Sequence, residues 1–424
     1  MIVVERGAVA NMEQPLKKVN RERLKDTIEM SSRIGAIPNN GLRRLALSDE
    51  DKEMRDLFVS WLKDAGLMVR IDDFGNIYGR REGKSENAPA ILVGSHLDTQ
   101  PMGGRFDGIL GVLSALEVVR ALNEYKVETE RPIEIVSFTN EEGARFEPPM
   151  LGSGGITGVF DKDFIYSRED SSGKGFGEEL KRIGYLGEEA NRIKNVHSYL
   201  EFHIEQGPVL EQESVAIGIV EAIQGMTWLE VRLTGQGDHA GPTPMNMRKD
   251  ALVAAAKMIV AIQHAAREID EITTTTVGRL ALAPNAVNCI PGEVSFSIDV
   301  RHFDDIKRRL AVELVREKIS TIAAADDIAI EISHLWEIPT TPFAPPILKH
   351  VTDGAKAYGY SYRKIVSGAG HDAKYLSDIA PTAMIFVPSV NGKSHSPEEV
   401  TLWEDVERGA NVLLYVVEAL ANGK

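Results

Sequence analysis

Hydrophobic positions along the chain follow two periodicities, and the changes from one to the other outline its elements. Residues 90–93 form a short apolar run that predicts a buried strand. A turn-rich segment with Pro101, Gly103 and Gly104 follows. Ile109, Val112, Leu113, Leu116 and Val119 then recur at helical spacing, predicting a helix over 107–123. The next β-type run, 133–138, brings the chain to Asn140-Glu141-Glu142-Gly143. Strand, helix, strand in this order is the pattern of a parallel or mixed sheet under helical cover. Upstream, residues 1–18 predict a loosely ordered tail, helices are predicted from Asn20 and over 48–65, and strand pieces flank Gly75 within 69–78. Ser48 and Asp51 have the spacing of a capping box with an unusual third-position acid. Residues 148–187, rich in Gly, Ser and charge, predict only helical fragments. Residues 199–205 alternate, with Leu200, Phe202 and Ile204 on one face and Glu201, His203 and Glu205 on the other, which predicts a half-buried strand.

A different order begins near residue 227. Strand 227–234, an Ala-rich helix 250–267, strands 275–282 and 293–301, helix 304–323 and strand 327–333 read β-α-β-β-α-β, the split βαβ or ferredoxin-like unit. Helix 348–358, strand 382–387 and helix 403–421 return to the earlier style. The predicted architecture is α/β: a discontinuous mixed-sheet main domain at 19–222 and 336–424, interrupted by a smaller inserted domain at 223–335. A length of 424 residues agrees with two cores rather than one.

Composition narrows the class further. Hydrophobic residues at 43% and charged residues at 26% are those of an ordinary globular protein. A formal net charge of -15 argues against non-specific binding to nucleic acid or to an anionic membrane, while leaving a small anionic substrate open. Cys289 is the sole cysteine, which excludes an intrachain disulfide and a cysteine-rich zinc site. The chain has no apolar run of roughly 18 residues, and its first residues lack the apolar core of a signal peptide, so a cytoplasmic location is expected.

Candidate chemistry gathers where strands end. His96, Asp98, Asp107, Glu141, Glu142 and His203 lie at or just past β-type runs, and His395 lies in the loop NGKSHSPEE after strand 382–387. Taken alone, GSHLDTQPMGGRFDGILG at 94–111 reads first as capping and turn chemistry, with Asp107 a candidate N-cap. A joint His/carboxylate set without a thiolate suits zinc, manganese or cobalt. Adjacent Glu141 and Glu142 would repel in a pocket unless a cation neutralised one of them.

HLD, GGRFDG, NEEG and HSPEE together resemble the aminoacylase/carboxypeptidase-type family of di-metal hydrolases. HIEQGP at 203–208 and GQGDHAGPTPM at 235–245 are similar to its N-carbamoyl-amino-acid amidohydrolase branch, which includes β-ureidopropionase and allantoate amidohydrolase. The resemblance runs from Gly41 to the C-terminus. It implies two divalent ions (zinc, manganese or cobalt) per subunit, one held by His96, Asp107 and His203, the other by Asp107, Glu142 and His395. It further implies that Asp98 receives the free N–H of His96 and that Glu141 is the general base. His239, in the inserted domain, matches a histidine that stabilises the oxyanion, commonly in the partner subunit's site. Gln206, Asn288, Arg301, Gly370 and His371 match substrate-binding positions, Gln206 as a reader of the carbamoyl group and Arg301 as a carboxylate clamp. Lys393 and Ser394 read as loop residues.

The inserted domain would then serve as a lid and in forming a homodimer, with His239, Asn288 or Arg301 acting across subunits. The expected substrate is a small ureido acid: an N-carbamoyl-L-amino acid or β-ureidopropionate, hydrolysed to amino acid, carbon dioxide and ammonia. Allantoate or ureidoglycine is the alternative substrate, and a non-catalytic binding module on the same fold the alternative role. A dipeptidase or aminoacylase is disfavoured by His203, Gln206 and Arg301.

Overall fold

The apolar run at residue 90 becomes the strand Ala90–His96, buried along its whole length. The computed structural model describes residues 16–85 and 87–423, so most of the predicted N-terminal tail lies outside the described residues. Ile133–Phe138 and Val196–Ile204 flank Ala90–His96 and run parallel to it, and Thr382–Val387 runs parallel to Val196–Ile204. Ile77–Arg81 and Met68–Ile71 extend the sheet beyond Ile133–Phe138 as antiparallel strands. The sheet is therefore mixed, with parallel strands in the middle, where both faces are covered and every strand is buried along most or all of its length. Helices Ile109–Glu124 and Trp403–Ala421 supply Val112, Leu116, Leu413 and Leu420 to the core that holds Ile91, Val93, Leu200 and Ile385.

Four parallel strands deliver their C-terminal ends to one edge of this sheet, the usual place for a site in an open α/β fold. His96 is the last residue of its strand and His203 the last but one of its own. Glu141 and Glu142 follow Ile133–Phe138, and the loop of His395 follows Thr382–Val387.

Several elements differ from their sequence patterns. The polar face of 199–205 is not solvated: Glu201 and His203 are fully buried, because the strand sits between two others and Glu201 accepts hydrogen bonds from Ser95 Oγ, the Tyr199 hydroxyl and the Ala373 N–H. The helix predicted from Asp107 begins at Ile109 with Gly108 as its N-cap. Asp107 caps nothing because its carboxylate is turned toward histidines. Ser48 does cap Asp49–Asp64, accepting from the Asp51 N–H at 3.2 Å; the Asp51 carboxylate reaches back to the Leu47 N–H at 2.8 Å rather than to Ser48. Residues 148–187 contain three short helices, Leu151–Thr157, Lys162–Tyr166 and Phe176–Arg182.

The chain divides into two compact units: the described residues up to Ile219 with Ala344–Lys364 and His371 onward, and Val220–Phe343 with Ile365–Gly370. In the second unit Ala329–Ile338, Gly225–Thr234 and Glu293–His302 are successive antiparallel neighbours, with Thr274–Thr276 and Leu280–Ala283 both on the far side of Glu293–His302. Numbered along the chain, that order is 4-1-3-2, the ferredoxin-like arrangement. Helices Ala251–Ile269 and Asp305–Ala325, capped by Asp250 and Asp304, cover one face through Ala255, Met258 and Val315 against Leu229, Val231 and Ile298. The predicted strand 275–282 is broken: Thr276 faces Asp299 but Leu280 faces Phe296, a one-residue offset that marks a bulge. Residues 365–370 join this unit because the Gly368 carbonyl accepts from Arg301 at 2.8 Å and from Gln224 at 3.0 Å. Among the described residues no helix is long and apolar enough to cross a membrane.

Candidate metal centre

Asp107 stands between two sets of side chains in the first unit. Its Oδ1 lies 3.1 Å from His203 Nε2 and 3.7 Å from His96 Nε2, while its Oδ2 lies 3.2 Å from His395 Nε2. Glu142 Oε2 is 3.4 Å from that same His395 nitrogen, and Glu141 Oε2 is 3.4 Å from His96 Nε2. The ligand atoms of His96, Asp107 and His203 form one group within 4.8 Å, and those of Asp107, Glu142 and His395 another. The two groups thus share Asp107 through different oxygens. A further grouping of Glu201, His203 and His371 has its carboxylate already engaged by three donors.

The tautomers suit ligation. His96 Nδ1 meets the Asp98 main-chain carbonyl at 3.0 Å, and His203 Nδ1 meets that of Ile204 at 2.9 Å. A carbonyl only accepts, so each ring keeps a proton on Nδ1, which leaves Nε2, the atom that faces Asp107, as the one that gives up its proton to ligate. Here the structure corrects an expectation. The group that receives the His96 N–H is the carbonyl of Asp98; its carboxylate is 3.9 Å away and accepts instead from the N–H groups of Glu141 and Glu142, each at 3.3 Å. One residue therefore orients the His96 ring and holds the turn of both glutamates.

The electrostatics point to cations. Burial raises Asp98 to about 7, and burial with the charge of Asp107 raises Glu142 to about 8. Burial, reinforced by Asp372, Glu142 and Asp107, pushes Glu141 well above the usual carboxylate range. Asp107 goes the other way: burial would raise it, but hydrogen bonds with His203 and His395 hold it well below its ordinary value. Its hydrogen bond lifts His395 to about 9; His203 also reaches about 9, burial opposing and Asp107 prevailing. Burial lowers His96 to about 4. Histidines pair with Asp107, Glu141 and Glu142 among the described residues, and divalent ions fit a pocket that otherwise has to protonate its acids.

Backbone conformation is specialised around these residues. Asn140, Gln206 and His395 occupy the left-handed region at φ 60°, 58° and 52°. Gly108 has φ 67°, and a Cβ there would overlap the His96 imidazole. Gly108→Ala is therefore expected to displace His96, at a cost of about 1–3 kcal/mol in strain alone, and to lower metal content as well as the melting temperature. Wild-type metal content and melting would contradict this packing.

Gln100, Ser394 and Glu399 lay beyond the reach of sequence patterns. The Gln100 amide donates to Glu142 Oε2 at 2.7 Å. Ser394, read as a loop residue, lies 3.1 Å from Asp107 Oδ2 and 3.0 Å from Glu399 Oε2. Their place inside the quoted motifs was the only signal. Gln206 donates its amide to Asp107 Oδ2 at 2.8 Å, leaving its Oε1 buried without a hydrogen-bond partner among the described residues. His371 packs its ring 4.5 Å from that of His203.

His239, Asn288, Arg301 and Gly370 belong to the second unit. His239 is exposed on a two-residue strand paired with Cys289–Ile290, and the Asn288 carbonyl accepts from the Ala240 N–H at 2.9 Å, which brings His239 and Asn288 together. His239 Nδ1 accepts from the Gly241 N–H at 3.1 Å, so the neutral ring carries its proton on Nε2. The fork of Arg301 is held by Asp299, through Nε at 2.9 Å and Nη2 at 2.7 Å.

Residues 92–419 match the family described as Peptidase family M20/M25/M40. The chain belongs to this family. Members are metal-dependent hydrolases, and the two groups around Asp107 are this chain's candidate ligands. The chain is 41% identical over 401 residues to an N-carbamoyl-L-amino-acid amidohydrolase of Rhizobium meliloti, covering 95% of this chain and 96% of the relative. It is 33% identical over 403 residues to the allantoate amidohydrolase of Escherichia coli (strain K12), covering 95% and 98%. A solved hydantoinase/carbamoylase family amidase from Burkholderia multivorans superposes with a TM-score of 0.90 at 45% identity, covering 95% and 98%.

Proposed function

We propose that this M20 protein is a metal-dependent amidohydrolase that cleaves the carbamoyl group from an N-carbamoyl-L-amino acid or β-ureidopropionate, consuming water and releasing amino acid, carbon dioxide and ammonia. The observation that carries the reading is the placement of Asp107, with one oxygen toward His96 and His203 and the other toward His395 beside Glu142. These five residues would hold two divalent ions per subunit. Such ions, when bound, lower the pKa of water and polarise a carbonyl. Glu141, a desolvated and therefore basic carboxylate outside both ligand groups, takes the proton of the attacking water and delivers it to the leaving nitrogen. Gln206 Oε1 accepts from the carbamoyl N–H, which gives that buried oxygen a partner.

The protein works as a homodimer in this reading, with His239, Asn288 or Arg301 acting across subunits and the inserted unit as the lid. The Nε2 proton of His239 supports its role as a donor to the oxyanion. Mixing His239→Ala with Glu141→Gln protomers is expected to restore part of the activity that each lacks, and verified mixed dimers without recovery would refute it. Ammonia release from N-carbamoyl-L-amino acids, β-ureidopropionate and allantoate, with zinc, manganese or cobalt added, tests the substrate. Exclusive turnover of allantoate would move the assignment to that substrate, and no turnover of any ureido acid would leave a binding module.

A further inference from the structure

The motif HSPEE ends on an acid that the proposed chemistry does not use. Glu399 is only 2% exposed. Its Oε1 accepts from two successive main-chain N–H groups, Phe106 at 2.9 Å and Asp107 at 3.1 Å. Its Oε2 lies 3.0 Å from the hydroxyl of Ser394, the residue before His395, and that hydroxyl lies 3.1 Å from Asp107 Oδ2. Gly104 makes the approach possible, since a Cβ there would overlap the Glu399 side chain. Glu399 thus touches the main chain of Asp107 on one side and the loop of His395 on the other, two segments brought together from opposite ends of the chain.

We propose that Glu399 is a positioning residue for the ion held by Asp107, Glu142 and His395: it fixes the separation of Asp107 and His395 and so sets the affinity of that position. The inference rests on the reading of those three residues as ligands. Its physical core is acceptor geometry. Two N–H groups need an oxygen on one side and the Ser394 hydroxyl needs a partner on the other; a glutamine supplies the oxygen and donates its amide to Ser394 Oγ, whose own hydrogen then goes to Asp107 Oδ2, whereas an aspartate keeps the charge but is one methylene short.

The test is zinc binding by chelator-stripped full-length protein, in competition with a fluorescent chelator, with circular dichroism and melting curves as folding controls. Glu399→Asp is expected to weaken one ion by about 10–100-fold, as for other residues that orient a ligand. Glu399→Gln is expected to stay within a factor of a few of wild type. Zinc affinity at the wild-type level in Glu399→Asp overturns the proposal, and so does Glu399→Gln binding as weakly as Glu399→Asp. Ser394→Ala, which removes only the bridging hydroxyl, is expected to weaken the same ion by a smaller factor. It carries the test if Glu399→Asp does not fold, and unchanged affinity there overturns the proposal. His395→Ala separates the levels: it should bind one ion fewer, and full zinc stoichiometry would bring down the ligand reading and this inference with it.

Discussion

Glu141→Gln is expected to keep the metal content of the wild type while losing about 10²–10⁴-fold in turnover, the range a positioned acid–base group contributes. The two halves of that outcome have separate physical grounds. Glu141 belongs to neither ligand group around Asp107, and its main chain is fixed on both sides: the N–H donates to Asp98, and the carbonyl accepts from the Met150 N–H at 2.9 Å. An isosteric amide therefore fits without moving a ligand. What the amide lacks is the ability to take a proton, and the environment of Glu141 is one that makes a carboxylate unusually basic. Ammonia release and metal analysis on the same preparation check the result. Metal loss would make Glu141 a ligand, and retained turnover would remove it as the base.

The site was legible in sequence to the extent that it depends on strand ends. His96, Glu141, Glu142 and His203 could be picked out because they lie at or just past apolar or alternating β-type runs, and parallel strands bring such ends to a common edge. His395 could not be joined to them by periodicity, being nearly 300 residues from Asp107; only the shared motif set connects the two. Asp107 shows the limit of local reading. An acid before an amphipathic helix looks the same whether it caps or ligates, and the choice is made by histidines from distant strands. The strand around Glu201 misleads for a related reason. Alternation reports that one face is polar, but a polar face satisfied by Ser95, Tyr199 and Ala373 needs the same residue types as a solvated one. The break in 275–282 was hidden because a bulge is a property of register with the partner strand. The helix Leu151–Thr157, LGSGGIT, has too many glycines to show a helical pattern.

Stripping the metal is expected to abolish turnover and to lower the melting temperature by an amount that grows from about pH 6 to about pH 9. In the metal-free protein Asp98 and Glu399 are raised to about 7 and Glu142 to about 8, each chiefly by burial. A raised acid contributes stability that is fully present below its ordinary value and is lost as pH rises through the folded value, so these three weaken the stripped protein from about pH 4 up through about pH 8. His203 and His395, raised to about 9, act in the same direction: their contribution is complete below 6.5 and lost as pH rises through about 9. His96, lowered to about 4, has the opposite sign and loses its contribution only as pH falls below 6.5. Metal binding needs its ligands deprotonated and so strengthens as pH rises. The two trends diverge, which is why the gap widens. With free zinc a hundredfold above its dissociation constant, one ion adds about 2.7 kcal/mol. Melting curves of stripped and zinc-loaded protein across this pH range give the gap directly, and a gap that stays constant or narrows toward pH 9 would mean that the buried acids around Asp107 do not depend on cations for their charge.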